Sequence, residues 1–563
     1  MNGSNRLLAL ALALAATACS PRAPEESAAP RRAAPAINVG DLEGHLTALA
    51  HDSMMGRESG TLGHYMATEY IATQVARLGL EPAGDDGYFQ TIPLVQRGLD
   101  PEASVSVGAT ALEVGTDYLP VPSTRGFLSF GMTGSLAGVE TIYAGRASDP
   151  SPSLTPDQVA GKLVVLDLPV GPRGEPSFDA WNRSALRAYE SATGVAIAVL
   201  DILPPQLARF LSQPRTMLGG GELPEGPLAM LITRETAARL MGGSIESASI
   251  GDHGATIEGT FRFVDTPAPY PTRNVVGIVR GSDPSLRDQY VAIGAHTDHV
   301  GIRSQAIDHD SIWAFNHVVR PMGAESPPRQ ATPAEEARIR AIRDSLRTVR
   351  APRADSTYNG ADDDGSGSVA MLAIAEAFAR DPEKPRRSII FVWHTAEENG
   401  LYGARWFTNN PTVPRDSIVA QLDLDMVGRG SDGDIEGGGP AYLQLIGSRR
   451  LSTELGDIVE EVNEQSGLGF RFDYQFDAPA HPQQYYCRSD HYMYARYGIP
   501  VVLFSTGSHL DYHQVTDESQ YIDYEKLRDV SRLVYEIART VADLDHRLVV
   551  DKPKPDPNAR CRQ

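Results

Sequence analysis

The chain has 563 residues, 41% of them hydrophobic and 22% charged. That is more than one hydrophobic core organises, so two domains with additional segments are expected. The formal net charge of −21 argues against a nucleic-acid partner, since phosphate binding rests on surplus Lys and Arg, and no later apolar run is long enough to span a bilayer.

Arg6, the Leu/Ala run over 7–16 and the string Ala16-Thr17-Ala18-Cys19 have the layout of an export signal. The string resembles a lipoprotein box, with Cys19 as the lipid anchor. Ala16 stands where such boxes usually carry Leu, and secretion without an anchor is the alternative. Residues 1–19 are read as the signal and 20–38 as a polar linker. The expected location is periplasmic or outer-membrane-associated, or extracellular. Only Cys487 and Cys561 remain. They either pair and pin the C-terminal tail, 551–563, or stay as free thiols. Three cysteines cannot build a thiolate zinc site, so any metal must be held by His, Asp and Glu.

Residues 39–95 read as the N-terminal part of a catalytic domain. Ala67, Ile71, Val75 and Leu78 fall at helical spacing, with Gly79 at the position of a C-terminal cap. Over 96–268 short β-rich runs such as 163–168, 195–200 and 228–233 alternate with Gly and Pro, the texture of a β-rich inserted domain. Over 269–550 strand and helix alternate. The strands are 274–280, 290–294, 388–393, 418–426 and 499–505, and a helix with Ala370, Ala373, Ile374 and Ala377 on one face covers 367–381. This is the pattern of an α/β fold with a mostly parallel sheet flanked by helices, whose ligands bind beyond the carboxyl ends of the strands. A polar insertion, 301–358, breaks the rhythm. It reads equally as a functional lid or as a disordered segment, with a charged helix over 334–349.

Acidic residues and histidines gather where the strands end. His296 and Asp298 lie in Gly-Ala-His-Thr-Asp-His, and Asp363 lies in Gly-Ala-Asp-Asp-Asp-Gly-Ser-Gly before the helix. Glu397 and Glu398 follow 388–393, Asp425 ends 418–426 in Asp-Leu-Asp-Met-Val-Gly, and Tyr512 and His513 follow 499–505. Each piece alone is ordinary, but five in chain order around one crevice are not. Gly428-x-Gly430-x-x-Gly433 matches a dinucleotide fingerprint, yet Gly437 to Pro440 follow, so no helix receives a pyrophosphate and the segment reads as a loop.

These strings resemble metallopeptidase family 28, the co-catalytic zinc aminopeptidases and glutamate carboxypeptidase relatives. The segments 49–60 and 88–90 are similar to the family's N-terminal region, and the β-rich insert to its protease-associated domain. The resemblance implies two Zn²⁺ per chain and peptide substrates. It implies that His296 and Asp425 hold one ion and Glu398 and His513 the other, with Asp363 between them and Asp362 or Asp364 as the alternative register. It further implies that Glu397 is the general base, that Asp298 orients His296 through its other ring nitrogen, and that Tyr512 stabilises the oxyanion. Two Zn²⁺, three carboxylates and one hydroxide sum to a neutral shell that can be buried; cobalt or manganese would also fit these donors.

The activity so implied is an aminopeptidase. The runner-up is a carboxypeptidase, for which Arg488, in Arg-Ser-Asp-His, is the one family-like arginine. Glutaminyl cyclases share the fold but use one zinc, and a non-catalytic receptor would have lost ligands. An aminopeptidase needs carboxylates facing a free amine, and Glu397 and Asp425 are the candidates; Asp490 is a further one, with a structural role as the alternative.

Overall fold

The computed structural model describes residues 36–121, 131, 133–149, 153–168, 189–220 and 226–563. The export signal and all of the linker but its last three residues lie outside the described residues. Among those described, no helix is long and apolar enough to cross a membrane.

The strand–helix region forms an α/β layer around a nine-stranded sheet. Its centre is four parallel strands in the order Ser388–His394, Tyr290–His296, Ile418–Leu424 and Val501–Ser505. Thr272–Val279 pairs antiparallel with the first and Tyr442–Ile446 with the last. Antiparallel pairs thus flank the parallel centre, and a further parallel pair, Tyr442–Ile446 with Arg471–Asp473, lies at one edge. The strands Glu81–Pro82, Phe89–Ile92 and Arg471–Asp473 extend the edges.

The central strands are apolar on both faces because both are covered. Val291, Ile293, Phe391, Trp393, Leu422 and Phe504 pack against the helices Gly367–Arg380 and Tyr524–Asp543 and the N-terminal helices Val39–Leu49 and Leu62–Arg77. The alternate residues Ala292, Ile390, Val392 and Leu503 pack against Ala404, Phe407 and Tyr494 on the other face. Parallel pairing brings the ends of all four strands to one rim, and every anticipated site residue outside the Asp run lies on that rim or in the loop after it.

The second sheet, of eleven strands, runs from Leu94 to Pro267. Val139–Arg146, Leu163–Asp167, Gly194–Ala198 and Leu228–Ile232 are its parallel core. It joins the first region through a small cluster of Ile92, Leu94 and Ala396 with Tyr402 and Trp406.

The insertion is an ordered element. Ile302–Asp308 pairs antiparallel with Ala354–Thr357, closing its base. Between them lie the helices His309–Val319 and Pro333–Leu346, the latter opened by a Thr332–Glu335 capping box. The insertion docks on the loop that carries Tyr512 and His513. Asn316 Nδ2 donates to Leu510 O at 3.0 Å, and the Ala324 amide donates to Tyr512 O at 3.0 Å. Cys487 and Cys561 form a disulfide with Cα atoms 5.7 Å apart.

Arg57 ties the N-terminal segment to the rim. Its guanidinium, 1% exposed, donates to four backbone carbonyls: Leu49 (2.9 Å), Thr297 (2.9 Å), Asn359 (2.5 Å) and Gly360 (2.8 Å). Its own carbonyl accepts from the His299 amide at 3.1 Å. Truncation strands several buried acceptors, each costing about 1–3 kcal/mol. Arg57→Met is therefore expected to lower stability by at least about 3 kcal/mol, read as the shift in a denaturant or thermal midpoint. Arg57→Lys recovers only part of this, because an ammonium cannot span four divergent acceptors. A midpoint unchanged in Arg57→Met contradicts this reading.

Candidate metal centre

His296 is the last residue of its strand and 1% exposed. Its amide donates to Asp364 Oδ2 at 3.1 Å and its carbonyl accepts from Ser368 Oγ at 2.7 Å. Nδ1 lies 3.1 Å from the backbone carbonyl of Asp298, so this carbonyl, not the Asp298 carboxylate at 3.7 Å, is the closer acceptor. Asp298 Oδ1 instead accepts from the Glu397 amide at 3.2 Å. Asp298 thus faces the His296 ring with both its carbonyl and its carboxylate, and its side chain also holds the backbone of Glu397.

The three consecutive aspartates divide the work. Asp362 Oδ1 accepts from Gly428 N at 2.7 Å. Asp364 accepts from the amides of His296, Gly367 and Met426. Only Asp363 turns both oxygens toward imidazoles: Oδ1 is 3.3 Å from His296 Nε2, and Oδ2 is 2.9 Å from His513 Nε2. The buried Asp517 fixes the turn by accepting from the amides of Asp362 (3.1 Å) and Asp363 (3.2 Å). The segment 428–433 is a loop, as expected, and its first glycine serves Asp362.

The remaining donors come from the other strand ends. Asp425 Oδ1 lies 3.7 Å from His296 Nε2, and its Oδ2 accepts from Ser489 Oγ at 2.7 Å. Glu398 Oε1 lies 3.0 Å from His513 Nε2 and 2.8 Å from His299 Nδ1. The donor atoms fall into two groups, each within 4.8 Å: His296, Asp363 and Asp425; and His299, Asp363, Glu398 and His513. Asp363 belongs to both.

Such a set fits a pair of divalent cations. His296 Nε2, His513 Nε2 and Asp363 Oδ2 are buried without a hydrogen-bond partner, which is costly unless something completes them. Nitrogen and oxygen donors of this kind suit zinc. The electrostatics agree. Burial alone lowers an imidazole pKa, but the carboxylates of Asp298, Asp363 and Asp425 outweigh it and hold His296 well above its ordinary value. Glu398 and Asp363 do the same for His513. Burial opposes ionisation of Asp363, yet His299, His296 and His513 keep it well below the usual carboxylate range. Glu397 goes the other way: burial, reinforced by Glu398, Asp425 and Asp490, pushes it well up.

A cleft of about 540 Å³ opens over both groups. Asp363, Glu397, Glu398, Asp425, Tyr512 and His513 line its floor, and Met426, Ile446 and Leu503 with Gln444 line one wall. Tyr512 stacks on His513 with ring centroids 4.1 Å apart. Arg488 is on the wall, bound through both terminal nitrogens to Glu325 of the insertion at 2.9 and 2.8 Å. Asp490 does not face the cleft. It is 1% exposed and pairs with His394 Nδ1 at 3.1 Å beneath the floor. A third group, His309, Asp355 and Glu518, already holds a cation, since Arg353 pairs with both carboxylates.

The sequence reading missed His299, Ser489, Asp517 and Glu325. His299 was in view as the second histidine of Gly-Ala-His-Thr-Asp-His. The other three act through tertiary approach and carry no local signal.

The Peptidase family M28 sequence model matches residues 274–538. Leupeptin-inactivating enzyme 1 of Streptomyces exfoliatus is 29% identical over 169 residues, 30% of this chain and 33% of that protein. Leucine aminopeptidase 1 of Penicillium rubens is 28% identical over 194 residues, 32% of this chain and 47% of that protein. The chain thus spans under half the length of either. The aminopeptidase from Aneurinibacillus sp. strain AM-1 superposes with a TM-score of 0.46 at 17% identity, covering 92% of this chain and 97% of that one. Residues 274–538, the stretch that matches Peptidase family M28, contain every donor of both groups.

Proposed function

We propose that this protein is a two-zinc aminopeptidase that removes N-terminal residues from peptides. The observation that carries the reading is Asp363 offering one oxygen to each donor group, with Glu397 beside them in the same cleft. His296 and Asp425 would hold one ion, and Glu398 and His513 the other. Bound zinc would supply water activation and carbonyl polarisation.

The chain's own groups do the rest. Glu397, held by its amide on Asp298 and pushed up by burial, is suited to take a proton from the attacking water and return it to the leaving amine. Burial, with Asp363 and Glu398 nearby, pushes the Tyr512 phenol well up. It stays protonated and donates a hydrogen bond to the developing oxyanion.

The end of the peptide that is recognised follows from charge. The floor is rich in carboxylates, whereas Arg488, the one arginine lining the cleft among the described residues, is committed to Glu325. With Asp363, Glu398 and Asp425 engaged by the metals, Glu397 remains as an acceptor for a protonated α-amino group, and a C-terminal carboxylate finds no free guanidinium there among the described residues. This favours an aminopeptidase over a carboxypeptidase, and two donor groups favour it over a one-zinc cyclase. We also read the 94–267 sheet as a protease-associated domain. The Cys487–Cys561 disulfide supports export.

Glu397→Gln is expected to retain both zinc ions while turnover falls by about 10²–10⁴-fold. Glu398→Gln is expected to lose metal, and elemental analysis of both variants reversing this order would exchange the two roles. Metal must displace the protons that His296 and His513 hold above their ordinary pKa. Zinc binding is thus expected to release protons at neutral pH and to weaken as pH falls; calorimetry in buffers of different ionisation enthalpy measures this, and an affinity constant between about pH 6 and 8 contradicts it. Free dipeptides and aminoacyl amides are expected to be cut about tenfold or more faster than N-acetylated ones, which leave a half-buried carboxylate without a donor. Equal rates would move the assignment to a carboxypeptidase.

A further inference from the structure

Six side chains, not five, converge on the metal centre, and the sixth is His299. It is 1% exposed and its Nδ1 points at the same two carboxylates that His513 addresses. It lies 2.8 Å from Glu398 Oε1 and 3.6 Å from Asp363 Oδ2; the corresponding distances from His513 Nε2 are 3.0 and 2.9 Å. The two rings meet edge to face, with centroids 5.3 Å apart. For zinc bonded to nitrogen and oxygen at about 2.0–2.2 Å in a tetrahedron, neighbouring donors lie roughly 3.3–3.6 Å apart. The four separations here, 2.8–3.6 Å, are at or a few tenths of an ångström below that spacing, and all four donor atoms lie within 4.8 Å of one another.

The surrounding chain is built to keep the ring there. The His299 amide donates to Arg57 O at 3.1 Å. Gly360, at φ +52°, brings its backbone flat against the imidazole, and a Cβ at that position would stand 2.5 Å from His299 Cγ. No side chain other than hydrogen fits between them.

We propose that His299 is a direct ligand of the metal held by Glu398 and His513. The inference rests on the two-zinc reading of the centre. The two positions are then unequal. One has four protein donors, His299, Asp363, Glu398 and His513, and is closed. The other has three, His296, Asp363 and Asp425, and keeps a vacant coordination site. Four-donor closure is the pattern of tightly held zinc, and three donors that of a position open to water or substrate. The closed position fills first.

The experiment is X-ray absorption spectroscopy of the metal-loaded full chain, counting imidazoles, with Co²⁺ titration of the metal-free protein followed by visible absorption. The expected result is three imidazoles per two metals, and two imidazoles on the first equivalent of Co²⁺ bound. His299→Asn should remove one imidazole, alter the spectrum of the first equivalent and weaken that step by about 10²-fold or more; a group merely orienting Glu398 would change affinity by about 10–100-fold and leave the imidazole count at two in the unaltered protein. Two metals sharing two imidazoles overturns the proposal while the proposed function stands. A chain that binds no metal overturns both. Because the imidazole count is made on the unaltered chain, it does not depend on His299→Asn folding.

Discussion

A guanidinium with no access to solvent needs acceptors on every side, and Arg57 finds them in carbonyls from three separate stretches of chain: Leu49, Thr297, and Asn359 with Gly360. Thr297 follows His296, and Gly360 opens the turn that carries Asp363. The two loops that must meet for Asp363 to face His296 are therefore fastened to the same planar group. Burial pushes the Arg57 pKa down, while Asp517, Asp363, Asp298 and Asp364 push it back up. The cation thus also offsets part of the repulsion among carboxylates crowded beneath the cleft. Removing one partner of such a buried arrangement leaves the others uncompensated, which makes it worth more than its hydrogen bonds alone.

This arrangement explains why the N-terminal helices belong with residues 269–550 although a sheet of eleven strands separates them in sequence. Leu42, Leu46, Ala67, Ile71 and Val75 share one core with Val291, Phe391 and Leu533, and Arg57 lies between the two helices. The inserted sheet leaves from Phe89–Ile92 and returns to Thr272–Val279, which pair with each other in the catalytic sheet. An insertion whose entry and exit are neighbouring strands leaves the host core uninterrupted.

Much of this was legible beforehand because parallel strands buried on both faces write themselves as apolar runs, and because chemistry collects where such strands end. The runs at 290–294, 388–393 and 418–426 and the strings after them led to His296, Glu397, Glu398 and Asp425 without any knowledge of contacts. The strands Tyr442–Ile446 and Arg471–Asp473 escaped, being short and set among polar and glycine-rich segments. The insertion resisted reading because its order derives from partners distant in sequence, such as Leu510, Tyr512 and Arg488. Arg488, in a family-like string, was the one arginine the runner-up carboxypeptidase could claim; its geometry commits it to Glu325. Asp490, left open between facing the amine and a structural part, lies beneath the floor with His394.

The run Asp362-Asp363-Asp364 has a consequence for how this protein tolerates change. Three identical letters occupy environments that demand different things of a side chain. Asp364 receives backbone N–H groups, a task for which an amide oxygen also serves at reduced strength, and Asp362 divides its oxygens between the Gly428 amide and the His509 imidazole. Asp363 must present two anionic oxygens in two directions at once, and an amide offers only one acceptor. A mutational map across the run would therefore be lopsided, with the middle position intolerant even of its isostere and its neighbours graded by lost hydrogen bonds. A deletion of any one of the three leaves the same two-letter string, so the damage would come from shifted phase and not from altered composition.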